Sequence, residues 1–501
     1  RTGLLFGDSC CGLVIQALII QAFGGSAVAL SFACRALGAG PTVGSFATRC
    51  ALGAVVALAF IGTITPFGAT LTATTTTAAS ATISSSDLAA AVASPAAAPA
   101  QPPATQPSVT DATRATTDIV NRTLAGKWYE RFGLRGYVQL RHGEVLSHEG
   151  PPPDVPNDRS ANENESLHIR RGRLVLSGDA TSRLAIYSQL DFNGSTGAAD
   201  YSLQMRDLYA DLSLDRTKTW RVRLGQSKVP FGFVNLQSSQ NRAPLERPDA
   251  LNSGVEAERD FGAALMWASP EARRRFRDLT NLGLKGSGDY GVVAIGAYSG
   301  QGPNRPDQNG SPHVVARVSY PFKLASGQFV ELGVQGYTGQ FVSGVQSLTT
   351  GGTTFTPTVD PHGVRDARVA ASVAWYPQPF GVESEWTWGR GPAQSRDLRT
   401  IVSDDLQGGY VQLHYLYKHA RTGTWFPFTR WQYYDGGRKF ARNAPRERVN
   451  EIDVGLEFAK WAELEITGQY THTFARTRTS AFPYVSTTHG NRIGVQLQWN
   501  Y

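Results

Sequence analysis

From Phe132 onward the chain changes polarity at every second position, and that habit restricts most of it to β-strands. Leu134, Gly136, Val138 and Leu140 share one parity, and Arg135, Tyr137, Gln139 and Arg141 share the other. Leu184, Ile186, Leu190 and Phe192 likewise oppose Arg183, Tyr187, Gln189 and Asp191. The pattern returns at Leu208/Ala210/Leu212/Leu214, at Trp220/Val222/Leu224 against Arg221/Arg223, and at Ile452/Val454/Leu456/Phe458 against Glu451/Asp453/Glu457. Side chains of a strand alternate between two faces, so each segment has one apolar face and one polar face.

A soluble β-sandwich also alternates; the connections separate the two cases. Long gaps fall at roughly 143–166, 193–203, 230–258, 300–312, 340–365, 390–407, 435–449 and 474–489. Between them lie tight links such as Gly178–Ser182, Asp215–Lys218, Pro377–Pro379 and Ala420–Gly423. Long loops on one side and short turns on the other are the asymmetry of outer-membrane barrels. The expectation is an all-β fold: a 16-stranded antiparallel transmembrane β-barrel with short periplasmic turns, long extracellular loops and both ends of the sheet on the short-turn side. Asn281–Gly286 also alternates, but it reads better as part of an enlarged turn, 269–288. The basic run Arg273, Arg274, Arg275, Arg277 in that turn reads as a solvated face, not as a nucleic-acid site.

Composition agrees. A mean hydropathy of -0.25 is too polar for a bundle of membrane helices, yet fits a barrel, where only alternate residues meet lipid. Fifty-two glycines, 18 tyrosines and 10 tryptophans suit many turns and interfacial aromatic girdles. Before residue 119 the charges of Arg1, Arg35, Arg49 and Arg114 cancel those of Asp8, Asp87, Asp111 and Asp118, so the net charge of +7 belongs to 119–501. All four cysteines (Cys10, Cys11, Cys34, Cys50) precede residue 51, which leaves the alternating region without disulfides or a cysteine metal site.

Three regions follow: 1–69, 70–118 and 119–501. The first contains the apolar stretches 12–33 and 50–69. Arg49, the run Ala51–Ala69 and the small residues behind it have the order of a secretory signal segment, with a membrane anchor and out-of-frame upstream sequence as the other readings. Residues 70–118 are Ala, Thr, Ser and Pro of low complexity, a composition that cannot bury enough apolar area to fold and reads as a disordered linker. The region 119–501 is the barrel.

At the C-terminus Ile493, Val495, Leu497, Trp499 and Tyr501 alternate up to an aromatic last residue. This resembles the signature by which the barrel assembly machinery receives its clients, though phenylalanine is the usual terminal residue. Other segments, in order, resemble the phosphate-selective porin O and P family: Gly136-Tyr-Val-Gln-Leu140, Ile169-Arg-Arg-Gly-Arg-Leu174, Leu190-Asp-Phe192, and Leu224-Gly-Gln-Ser-Lys-Val-Pro-Phe-Gly232 with Asn235-Leu-Gln-Ser-Ser239 and Leu245-Glu-Arg247 behind it. Arg259-Asp-Phe-Gly262, Val315-Ala-Arg317 and Gly408-Gly-Tyr-Val-Gln412 continue the likeness, which covers about 125–501. Two features depart from the family: the Ala/Thr/Pro stretch stands where a coiled coil often lies, and the turn 269–288 is long. The resemblance implies a homotrimer in the bacterial outer membrane, a third loop folded into the pore, and passage of small anionic solutes, phosphate among them.

Transport through such a barrel is diffusion past charged lumen side chains. Arginine suits anions because its planar fork binds oxyanions through two hydrogen bonds and never loses its charge. By parity the lumen candidates are Arg135, Arg141, Arg171, Arg173, Arg183, Arg221, Arg223, Arg317, Arg368, Arg430 and Arg492, with Lys228, Arg242 and Arg247 at the end of the fifth strand or in the third loop. The same parity places Asp191, Asp207, Asp211, Glu331, Glu383, Glu385, Glu451, Asp453, Glu457, Glu463 and Glu465 inside. The early strands are therefore basic and the later ones acidic. No G-x-S-x-G or H-E-x-x-H arrangement is present, and the reading is of a channel with no enzymatic activity, cofactor or metal. A non-selective general porin and a non-conducting adhesin or structural barrel are the alternatives.

Overall fold

The computed structural model describes residues 128–153, 167–193, 202–252, 254, 259–478 and 485–501. The expected signal segment and linker lie outside the described residues. Sixteen strands, numbered in chain order, form one closed antiparallel sheet. They are β1 Phe132–Glu149, β2 Leu167–Asp179, β3 Leu184–Asn193, β4 Ser202–Ser213, β5 Trp220–Lys228, β6 Arg259–Trp267, β7 Val293–Tyr298 and β8 His313–Lys323. The second half comprises β9 Phe329–Phe341, β10 Val364–Trp375, β11 Phe380–Gln394, β12 Ile401–Tyr415, β13 Gly423–Gly437, β14 Arg446–Trp461, β15 Leu464–Arg478 and β16 Val485–Asn500. A seventeenth segment, Tyr417–His419, continues β12 past a break at Leu416 and pairs with the same neighbour, β13. The sheet closes where β1 meets β16, with Tyr137 opposite Asn500 and the Gly136 and Tyr501 backbones exchanging hydrogen bonds of 2.7 and 3.0 Å. Closure leaves no edge, and a closed sheet can cross lipid with its backbone paired.

The outward parity carries Leu176, Ile186, Leu208, Leu265, Val318, Val373, Val454 and Val495, all well exposed. Aromatic side chains border this apolar band: Trp220, Trp375, Phe380, Trp461 and Trp499 on the short-turn side, and Phe192, Trp388, Trp431 and Tyr470 on the other. Hydrophobic surface that water would not tolerate at this extent is what lipid requires.

Strand number agrees with the sequence expectation, but strand length does not. β11 ends at Gln394 and β12 begins at Ile401, where a gap of 390–407 was expected; β13 and β14 similarly extend to Gly437 and from Arg446. The alternation of hydrophobicity stops where the lipid stops, but backbone pairing continues above it. Asn281–Gly286 is not a strand.

Among the described residues, two connections that carry helices enter the barrel. The first, loop 3, runs from Val229 to 258 between β5 and β6 and carries two short helices, α1 Phe233–Leu236 and α2 Asp249–Asn252. The second is the link from β6 to β7, where Pro270–Asn281 forms α3. The Ser269 side chain caps α3 by accepting from the Ala272 N–H at 3.2 Å, and Pro270 occupies its first turn. Ala272, Phe276 and Leu279, at helical spacing, form its buried stripe. Gly283, at a φ of 68°, turns the chain back so that the Leu284 N–H reaches the Leu279 carbonyl at 3.0 Å. Val229, Phe231, Phe233 and Val234 of loop 3 pack with Phe276, Leu279 and Leu284 and with inward Tyr337, Ala370, Tyr376 and Tyr410, giving one wall of the lumen an apolar core.

Candidate functional site

The inner wall is charged, and loop 3 gathers its charges. Glu246 on that loop faces three guanidinium groups: Arg141 Nη1 at 2.6 Å, Arg170 Nε at 2.8 Å and Arg171 Nη2 at 3.2 Å. Three cations against one carboxylate leave a net charge of +2, counted as 3 − 1. Arg247, buried, follows Glu246 on the same loop. Burial pushes the Glu246 carboxyl up, but Arg170, Arg171 and Arg141 outweigh it and hold the group well below its ordinary value of 4.5.

The neighbouring side chains pin the loop backbone. Arg141 also donates to the Leu245 carbonyl at 3.0 Å. Arg173 Nη1 and Tyr137 Oη both contact Ser239 Oγ, at 2.7 and 2.6 Å. Arg430 donates to the Glu246 carbonyl at 2.7 Å while pairing with Asp453 at 2.7 Å. Gln469 Oε1 accepts from the Leu245 N–H, Gln432 Oε1 from the Asp249 N–H, and the Glu385 carboxylate from the Phe233 N–H. Lys228 and Arg242 both donate to carbonyls at the end of α1, Lys228 to Leu236 and Gln237 at 3.1 and 2.6 Å, and Arg242 to Val234 and Gln237 at 3.2 and 3.3 Å. These cations oppose the unpaired carbonyls of a helix C-terminus.

Other sequence candidates lie elsewhere on the wall. Arg221 pairs with Asp289 at 2.6 Å, and Arg223 with Asp211 at 2.8 Å while covering the Tyr209 ring at 3.9 Å. Arg317 with Glu331 (3.1 Å) and Arg368 with Asp366 (3.1 Å) occupy the opposite side of the sheet. Arg492 stands 3.8 Å from Glu451. Arg135 is exposed near the short-turn end of β1 and forms no ion pair among the described residues; Arg183 is exposed in the turn before β3. Glu463, expected on the wall, lies instead in the exposed two-residue turn between β14 and β15, where no strand fixes its direction.

Strict alternation missed two inward arginines. In β2 Gln139 pairs with Arg171 and the next position, Leu140, pairs with Ile169, so Arg170 is an extra residue. In β4 Gln189 pairs with Asp207 and Leu190 with Met205, so Arg206 is extra. A β-bulge re-aims its residue, and here both guanidinium groups turn inward, Arg170 to Glu246 and Arg206 to Asp191 at 2.8 Å. Arg259, at the start of β6, pairs with Asp207 at 2.8 Å, and Lys439, from the loop after β13, with Asp366 at 2.6 Å. Neither Glu246, though part of the family-like Leu245-Glu-Arg247, nor Lys285, which bonds Glu457 at 2.6 Å, was expected on the wall, because both sit on connections outside the strands.

Among the described residues no three histidine, cysteine or acidic side chains come together in a way that could hold a metal ion. A closed sheet with a lipid-compatible exterior, a charged interior and an inward third loop is built to admit solutes along its axis.

No curated protein matches the chain. Solved structures similar to it include OmpT, an outer membrane protein of Vibrio cholerae (10% identity, 76% of this chain and 99% of that chain, TM-score 0.43). The outer membrane channel DcaP of Acinetobacter baumannii is similar at 15% identity over 74% of this chain and 97% of that one (TM-score 0.43). The anion-selective porin from Comamonas acidovorans is similar at 12% identity over 74% and 99% (TM-score 0.40). The family model for phosphate-selective porin O and P matches residues 153–501, from the β1–β2 loop to the last residue. With that match spanning well over half the sequence, the chain belongs to the phosphate-selective porin O and P family and is a porin of the bacterial outer membrane.

Proposed function

We propose that this porin passes small hydrophilic solutes by diffusion, prefers anions, and has no enzymatic activity. The observation that carries this reading is the cluster of Arg141, Arg170 and Arg171 around the single carboxylate of Glu246. An anion nearing this wall gives up water and receives guanidinium N–H donors in return, whereas a cation meets a local excess of positive charge. Arg135 and Arg183, both exposed, extend the basic surface towards the periplasmic mouth. Phosphate, like carboxylate, is matched by the guanidinium fork, and we propose it as a permeant solute that slows other anions while it dwells there. A homotrimer, with insertion by the barrel assembly machinery through β16, completes the proposal.

The test is the reversal potential of the full chain in a planar bilayer under a salt gradient. An anion-selective potential, with chloride current falling as phosphate is added, is the expected result. Equal permeability of both ions keeps the porin and rejects the preference. Absence of current from folded barrels favours a structural or adhesive barrel. That second reading draws on the dense inner face, where Tyr337, Asp366, Arg368, Ala370, Glu385 and Tyr410 are all buried.

A further inference from the structure

The turn between β6 and β7 enters the barrel from the periplasmic side. Beyond the reversal at Gly283, Lys285 Nζ bonds both carboxylate oxygens of Glu457 on β14, at 2.6 and 2.7 Å. The Lys285 carbonyl accepts from Gln237 Nε2 of loop 3 at 2.7 Å, so the two inserted connections meet inside the sheet. Ser287 Oγ donates to Glu331 on β9 at 3.2 Å, and Asp289 is held by Arg221 and Arg273 at 2.6 and 3.0 Å. Under this segment and loop 3 the acidic wall loses its water: Glu331, Glu383, Glu385 and Glu457 are 2%, 4%, 1% and 5% exposed. Across the lumen the arginine side chains are enclosed as well, Arg170, Arg171 and Arg173 at 6% and Arg206 and Arg492 at 13% and 11%.

We infer that residues 270–288 are a resident plug: they cover the carboxylates of Glu331 and Glu457 on the acidic half of the lumen and make Lys285 a selectivity-determining residue. The inference rests on the anion-preferring reading and supplies a cause for it, since a cation is kept from the carboxylates by protein and by the Lys285 ammonium. The plug is held by ion pairs, by hydrogen bonds and by Phe276, Leu279 and Leu284 in the apolar core. α3 anchors it at the rim, where Arg275 donates to the Pro321 carbonyl at 3.1 Å and Lys418 to the Leu282 carbonyl at 2.9 Å.

The experiment replaces 270–288 by a short Gly/Ser turn in the full chain and records single-channel conductance and reversal potential. Conductance is expected to rise roughly twofold or more, as open cross-section grows, and permeability to shift towards cations as the carboxylates become accessible. Lys285→Glu, which turns the Glu457 contact into a repulsion while keeping the chain length, is expected to shift permeability in the same direction and covers a replacement that fails to fold. A folded variant of either kind with wild-type conductance and reversal potential overturns the plug. A conductance rise without a change in ion preference overturns the role of Lys285. The unmodified protein's reversal potential tests the anion reading separately, because it does not depend on either variant.

Discussion

A carboxylate that faces three guanidinium groups in a nearly dry space gives up its proton more readily than one in solution. For Glu246 the folded value lies well below 4.5. Its contribution to stability is therefore complete above the unfolded value and is lost only as pH falls through the lowered folded one. Loop 3 is expected to stay docked, and conductance to stay flat, from about pH 5 to about pH 8 as far as this group is concerned; conductance recorded across that range checks it. Glu246→Gln removes the charge without changing the shape and leaves three buried guanidinium groups uncompensated. Breaking a buried pair in this way costs about 3–5 kcal/mol. The expected result is a loosened loop 3, read as new trypsin cleavage at Arg242 or Arg247, both buried in the parent.

At the scale of single elements, the bulges in β2 and β4 make opposite predictions from those of plain alternation. If Arg170 faced lipid, Arg170→Leu would stabilise the barrel by up to about 2–4 kcal/mol, the penalty of an arginine at mid-bilayer. Turned inward onto Glu246, the same change is expected to cost about 1.5–3 kcal/mol, the value of a hydrogen bond to a charged group. Denaturant unfolding in lipid vesicles gives the sign directly. The strands themselves were legible in the sequence, because lipid on one side and water on the other impose a period of two that no turn or helix shares. Strand ends were not, since above the membrane the regular alternation lapses in segments such as Gly389–Gln394 and Ile401–Asp405 while pairing continues. Arg170 and Arg206 were illegible because one inserted residue shifts the phase locally and the next few positions restore it. α3 did carry signals, the Ser269-Pro270 start, the Ala272/Phe276/Leu279 stripe and Gly283 at its end, but four arginines on one short segment drew the reading towards a solvated face. Two of them, Arg274 and Arg277, are indeed exposed. What the sequence could not reveal was the path of the chain after Gly283.

For the molecule as a whole, charge is distributed across the lumen and not along it. Arg141, Arg170, Arg171, Arg173, Arg206, Arg221, Arg223 and Arg259 come from β1 to β6, while Glu331, Glu383, Glu385, Glu451, Asp453 and Glu457 come from β9 to β14. Such a transverse field acts over several ångströms of water and is weakened by salt: the Debye length shrinks from about 10 Å at 0.1 M to about 3 Å at 1 M. The anion-to-cation permeability ratio is expected to fall when the mean KCl concentration is raised across that range at a fixed gradient, and a ratio independent of salt would rule out a long-range origin. The closing pair of strands carries a consequence of another kind. Tyr137 finds its partner at Asn500, so the first strand must wait through the synthesis of all the others before its free side is satisfied. Few contacts in a protein are more distant along the chain, and distant contacts form late. Until those two strands meet the sheet keeps two unpaired margins, and the single seam between first and last strand removes both at once.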